Sequence, residues 1–277
     1  MRKGKNFPTQ KPVKKSFYNT IKLQIKSLYK TRSKYFLEMN KTEDRKRVII
    51  WNSAASSDKK ILAVRNQKCG STTIENIVRE YSKILHKNNI HYGENIIKYD
   101  FQNKNPRDFV ILKHLIESEE VIKITTVRNP IDRAISCFFH MFIDQKNAHT
   151  KFHIPYIKSM GFDISKSIEY NFDVFLEYVS MNIKEDRFFC DPHFKEQHIN
   201  IGIEFIKYDK IIRLENINSE IKETFYNNKL GEYYERLKSV NTVFNKSSRS
   251  RQNIHLNQYA IAKIQDIYRK DFELFGY

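Results

Sequence analysis

The chain has 277 residues, with 49 Lys and Arg against 32 Asp and Glu for a net charge of +17, and 40% of its residues are hydrophobic. A chain of this length can bury an adequate core without staples, and an odd number of cysteines, Cys69, Cys137 and Cys190, argues against a disulfide framework and for a reducing, cytoplasmic compartment. The cysteines are too scattered for a zinc site, no window of about 20 residues avoids charge as a transmembrane helix requires, and no apolar run follows the basic first residues to make a secretory signal.

The positive charge is concentrated at the start. Residues 1–50 hold 11 Lys and 4 Arg against Glu38, Glu43 and Asp44, so an argument from overall basicity to nucleic acid applies to this segment and not to the body. Residues 1–16 are polar, basic and interrupted by two prolines, which predicts disorder. Ile21, Ile25, Leu28 and Tyr29 then recur at helical spacing with Lys22, Lys26 and Lys30 beside them, which predicts a short amphipathic basic helix. Three roles are open to it: packing on the next domain with its lysines solvated, attraction to an anionic polymer, or weak contact with a membrane surface. Residues 1–46 are therefore set apart from a single domain over 47–277.

From about residue 47 short apolar runs alternate with helical stretches, the pattern of an α/β fold with a central, mostly parallel sheet flanked by helices. Strands are predicted at Val48–Trp51, Ile61–Val64, Phe109–Leu112, Ile122–Val127 and Lys210–Leu214. Helices are predicted at Thr72–His86, Ile131–Ile143, Phe172–Met181, Ser219–Asn227 and Asn257–Leu274. Asp144–Tyr170 has no clear periodicity and reads as a substrate-facing insertion.

Two motifs carry chemistry. In Arg65-Asn-Gln-Lys68-Cys69-Gly70-Ser71-Thr72-Thr73 a strand enters a polar turn and then a helix. The main-chain N–H groups of that first turn, three hydroxyls and the Lys68 ammonium form a cradle for an anion. It is not a Walker A loop, because the lysine precedes a single glycine, and this disfavours a nucleotide-dependent phosphotransferase. In Arg128-Asn129-Pro130-Ile-Asp132-Arg133-Ala-Ile-Ser136 a strand end delivers a guanidinium fork suited to a phosphate dianion, with Ser136 as a further donor. Asp132 and Arg133 read as local ion pairs or cap contacts.

These residues resemble sulfotransferases. The first motif is similar to that family's 5′-phosphosulfate loop and the second to its 3′-phosphate motif. Asp191-Pro192-His193-Phe194-x-x-Gln197 resembles the D-x-H-[WF]-x-P-Q signature of the carbohydrate (Golgi-type) branch, with Glu196 where proline is usual. The tail Tyr268-x-x-Asp271-Phe272-Glu273-x-Phe275-Gly276-Tyr277 also resembles that branch, although Tyr268 and Phe272 read as core from their helical spacing.

The resemblance implies a P-loop-like sulfotransferase fold. It also implies 3′-phosphoadenosine 5′-phosphosulfate (PAPS) as sulfuryl donor without a metal, and a hydroxyl of a glycan as acceptor. Arg65, Lys68, Cys69, Gly70, Ser71, Thr72 and Thr73 would then hold the 5′-phosphosulfate, Arg128 and Ser136 the 3′-phosphate, and Lys68 the leaving oxygen. Val243–Arg251 resembles the family's closing loop and would add Ser248 with Arg249 or Arg251. His114, after the Phe109–Leu112 run, leads as the general base by comparison with uronyl 2-O-sulfotransferases. His193, otherwise an acceptor contact, and Glu117 are its rivals. The competing reading is a non-catalytic module that binds polyanions or nucleic acid through the basic amino-terminal segment.

Overall fold

The computed structural model describes residues 34–88, 91, 93–99, 104–145, 149–238 and 254–277. The predicted helix around Ile21–Tyr29 and the predicted closing loop with Ser248, Arg249 and Arg251 lie outside them. Residues 34–41 are helical, and Tyr35 and Met39 from this stretch pack on the body while Glu38 pairs with Lys113. The boundary expected after residue 46 falls inside the next helix, α1, Asp44–Trp51.

Five strands form one sheet in the order β3-β1-β2-β4-β5: β1 Ser53–Ala55, β2 Ile61–Val64, β3 Ile97–Lys98, β4 Ile122–Val127 and β5 Lys210–Arg213. β2 pairs with β4, and β4 with β5, in parallel, whereas β1 is antiparallel to both β2 and β3. The sheet is mixed, with β1 alone running against the other four strands, because Ser56 turns the chain back directly, its N–H donating to Ile61 O at 2.9 Å.

Helices cover both faces, as the β2 side chains require. Ile61 and Ala63 pack with α2, Ser71–Asn88, while Leu62 and Val64 pack with α1 and α3, Pro106–Glu117. The first face is completed by Ile221, Phe225, Tyr234 and Leu237 from the chain after β5. Beyond β4 come α4, Pro130–Phe138, a π-helical turn over Phe139–Ile143, α5, Thr150–Ser159, α6, Ile168–Glu185, and the short α7, Gln197–Asn200. After β5 follow α8, Ile217–Asn227, α9, Gly231–Lys238, α10, Gln258–Ile267, and α11, Arg269–Phe275. Phe138, Phe142, Phe172, Phe175 and Tyr268 form an aromatic core where α4, the π turn, α6 and α10 meet. Tyr268 is core, as its spacing predicted, and Phe272 is partly buried against the same cluster.

Two predicted strands are helices. Val48–Trp51 closes α1, where only Ile49 and Ile50 are buried and Trp51 is exposed, so packing of one helix face overrides the β-branched run. Phe109–Leu112 lies within α3, where Asn105 accepts the Arg107 N–H at 3.1 Å and Pro106 takes the first turn. The aperiodic 144–170 stretch contains α5, interrupted in pattern by Pro155.

Candidate active site

The two phosphate-like motifs meet at the carboxyl ends of β2 and β4, where ligands of open α/β sheets are held. Asn66 ties the first turn to β4, its Nδ2 donating to Thr126 O at 3.0 Å. The turn is strained at Lys68, whose φ is +65°, and needs glycine at 70, where φ is +81°. A Cβ at Gly70 would stand 2.7 Å from Leu214 Cδ1, at the end of β5. Ile74 N–H makes the first helical hydrogen bond, to Gly70 O at 3.0 Å, so the amides of Ser71, Thr72 and Thr73 precede it at the positive end of an 18-residue helix.

Arg128 follows β4 and its Nη1 lies 3.5 Å from the main-chain O of Lys68, which sets its guanidinium against the turn that carries Lys68. Asn129 accepts the Ile131 N–H at 2.9 Å and so starts α4, on which Ser136 lies half-buried two turns further on. Two residues expected at the donor are turned elsewhere. Every nitrogen of the Arg65 guanidinium is engaged: with Glu75 at 3.0 Å, Asn52 O at 3.3 Å and Trp51 O at 3.1 Å. The buried Cys69 thiol points at Gln197 Oε1, 3.0 Å away, and burial pushes its pKa up to about 12, so Cys69 offers a ligand its main chain alone.

The third and fourth motifs hold the first two together. Gln197 Oε1 accepts the Arg128 N–H at 2.9 Å, while its Nε2 donates to Arg128 O at 2.8 Å. Asp271 in turn accepts the main-chain N–H groups of Gln197 and His198 at 2.7 and 2.9 Å, and Tyr268 donates to Phe194 O at 2.7 Å. Arg133 makes no local cap contact; its Nε and Nη2 donate to Gln67 O and Pro192 O, both at 3.1 Å. Glu196, the departure from the family's proline, forms a two-bond pair with Arg187 at 2.7 and 3.1 Å.

Asp191 gathers three histidines. His193 Nδ1 is 2.7 Å from Oδ1, and His153 Nε2 and His149 Nδ1 are 3.1 and 3.2 Å from Oδ2. His153 Nδ1 meets the Tyr178 hydroxyl at 2.7 Å, and the His140 ring stacks on His193 at 5.9 Å. In the tautomer whose Nδ1–H donates to this carboxylate, a neutral His193 would present Nε2 as proton acceptor, the arrangement of an oriented general base.

The Asp191 side chain is 5% exposed. Burial alone would raise its pKa, but hydrogen bonds from His153 and His193 more than offset that and hold it well below the usual carboxylate range. The folded-state value therefore lies below the unfolded value of about 3.9, so the stability Asp191 adds is full above roughly pH 4 and declines as the pH falls further. Asp191→Asn is expected to cost about 2 kcal/mol near pH 6 and progressively less as the pH falls below about 4, which melting curves across that range will check.

His114 does not stand near these groups. It lies one turn from the end of α3, 67% exposed, with Glu117 3.9 Å away. That is the amino end of β4, and a six-residue strand of roughly 20 Å separates it from the Arg128 end. The strand-then-histidine arrangement on which its assignment rested is a helix. The sequence alone assigns no role to Asn66, Asp191, His149 or His153: Asn66 lies unremarked inside the first motif, the Asp-x-His triplet is the signal for Asp191, and nothing local marks the two histidines.

Among the described residues no helix is long and apolar enough to cross a membrane. No curated protein and no solved structure matches the chain. A family model described as the sulfotransferase family matches residues 51–277, which takes in all four motifs. The chain belongs to the sulfotransferase family.

Proposed function

We propose that the chain transfers a sulfuryl group from PAPS to a carbohydrate hydroxyl, on a P-loop-like sulfotransferase fold, with His193 and not His114 as the general base. Membership of the family makes it a sulfuryl transferase. The observation that carries the choice of donor is the contact of the Arg128 guanidinium with the main chain of the Lys68 turn, which sets it beside the first-turn amides of α2 at adjoining strand ends. Such a set suits a ligand with two separated phosphate groups, the donor supplying an activated sulfuryl group on one of them.

In this reading the amides and hydroxyls of residues 70–73 bind the 5′-phosphosulfate, and Arg128 with Ser136 binds the 3′-phosphate. Lys68 stabilises the charge that develops on the leaving oxygen. His193 Nε2 takes the acceptor's proton, and Asp191 holds the imidazole by Nδ1 and stabilises its protonated form. The acceptor class rests on the Asp191–Gln197 and tail motifs, whose resemblance is to the carbohydrate branch.

Calorimetric titration with adenosine 3′,5′-bisphosphate and with adenosine 5′-monophosphate tests the donor. Charge-assisted bonds to the extra phosphate, about 1.5–3 kcal/mol, predict a roughly 10- to 100-fold preference for the bisphosphate, lost in Arg128→Ala. Equal, weak binding of both nucleotides would sink the donor assignment and favour the polyanion-binding module.

A further inference from the structure

In-line transfer requires the cation at the leaving oxygen and the base at the attacking hydroxyl to keep a fixed separation, and a misplacement of about 1 Å is costly. Lys68 and His193 come from chain segments far apart in sequence, and neither motif alone sets their distance. A buried side chain joins the two segments at the residues next to these two. Arg133 is 1% exposed, and its Nε–H and Nη2–H reach Gln67 O and Pro192 O. Those N–H groups share one edge of the guanidinium, so the two carbonyls stand side by side. Gln67 immediately precedes Lys68, and Pro192 immediately precedes His193.

The acceptors are neutral carbonyls, and among the described residues no carboxylate forms an ion pair with Arg133; the Tyr268 ring centroid is 6.0 Å from its guanidinium carbon. An arginine used in this way fixes geometry. Asn200 adds a second hold on the same carbonyl, its Nδ2 donating to Pro192 O and to Asn66 Oδ1, both at 3.1 Å, and so also spans the two segments.

We propose that Arg133 is a positioning residue whose fork sets the separation of Lys68 and His193 and so couples the filled donor site to the base. The proposal rests on the sulfuryl-transfer reading given above.

The test needs no acceptor. Histidine ring resonances of the full chain are followed by NMR through a pH titration, with and without adenosine 3′,5′-bisphosphate. The groups facing His193 include Asp191 and the His140 and His149 rings, and its signal is assigned by its loss in His193→Gln. In the wild type the added negative charge is expected to raise the His193 midpoint by roughly half a pH unit or more, while the distant His114 stays put.

Arg133→Lys keeps the charge and loses the fork, and is expected to bind the bisphosphate yet lose most of the His193 shift. If that variant does not fold, Asn200→Ala decides, with a smaller loss in the same direction. An undiminished shift in a folded Arg133→Lys or Asn200→Ala protein overturns the proposal, as does a wild type that binds the bisphosphate without moving His193. A wild type that does not bind the bisphosphate is a different failure, because it removes the donor reading on which this one rests.

Discussion

Lys68→Ala is expected to lower the rate of PAPS consumption by about 10³-fold, the scale on which a preorganised donor at a developing negative charge contributes to catalysis. The loss should fall on turnover more than on bisphosphate affinity, because the amides of Ser71 to Thr73 and the Arg128 fork still face the ground-state anion. Backbone geometry supplies a control that separates chemistry from folding. Lys68 adopts a φ of +65°, a region that costs a residue with a Cβ roughly 1 kcal/mol or more. Lys68→Gly removes the ammonium and the strain together, so its melting temperature should equal or exceed that of the wild type while its turnover matches Lys68→Ala. If Lys68→Gly retained turnover within tenfold of the wild type, the ammonium would not be the group at the leaving oxygen. PAPS consumption with neutral and uronate-containing oligosaccharides, beside a melting curve for each protein, decides between these results.

What could be read from the sequence follows from how local each signal is. β2, β4 and β5 were legible because strands covered on both faces become continuous runs such as Ile61–Val64, with no polar side to confuse the pattern. β1 was not, since Ser53–Ala55 has no β-branched residue and becomes a strand by pairing with β2 and β3. In α3 the Asn105-Pro106 start was present in the sequence, but the apolar run Phe109–Leu112 outweighed it. The Lys68 loop and Arg128 stand out in the sequence for a different reason: each motif gathers its polar and charged groups within a few consecutive residues. Gln197, Arg133 and Asp271 do their work through main-chain partners 69, 66 and 74 residues away, and no local pattern encodes that distance. The hydrogen bonds show what those side chains do: each clamps another motif.

His193→Ala is expected to lower turnover by about 10²–10³-fold, within the span of general-base contributions, with bisphosphate affinity changed less than threefold. The control is His114→Ala, which should stay within twofold of the wild type because that side chain is 67% exposed at the amino end of β4. The pH profile makes the assignment sharper than the rates alone. A base must be deprotonated to act, so wild-type turnover should rise with pH on an acid limb set by the imidazole, and His193→Ala should lose that limb and run flat at its reduced level. Asp191→Asn should keep an acid limb but shift it to lower pH, because a neutral partner no longer stabilises the imidazolium. His149 and His153 share the same carboxylate, so each alanine variant must be profiled too: if the acid limb survives in His193→Ala and vanishes in His149→Ala, the base is the more exposed ring on the other oxygen of Asp191. A His114→Ala variant with turnover reduced a hundredfold would instead return the base to α3, and would require the acceptor to approach the sheet from the end opposite Lys68 and Arg128.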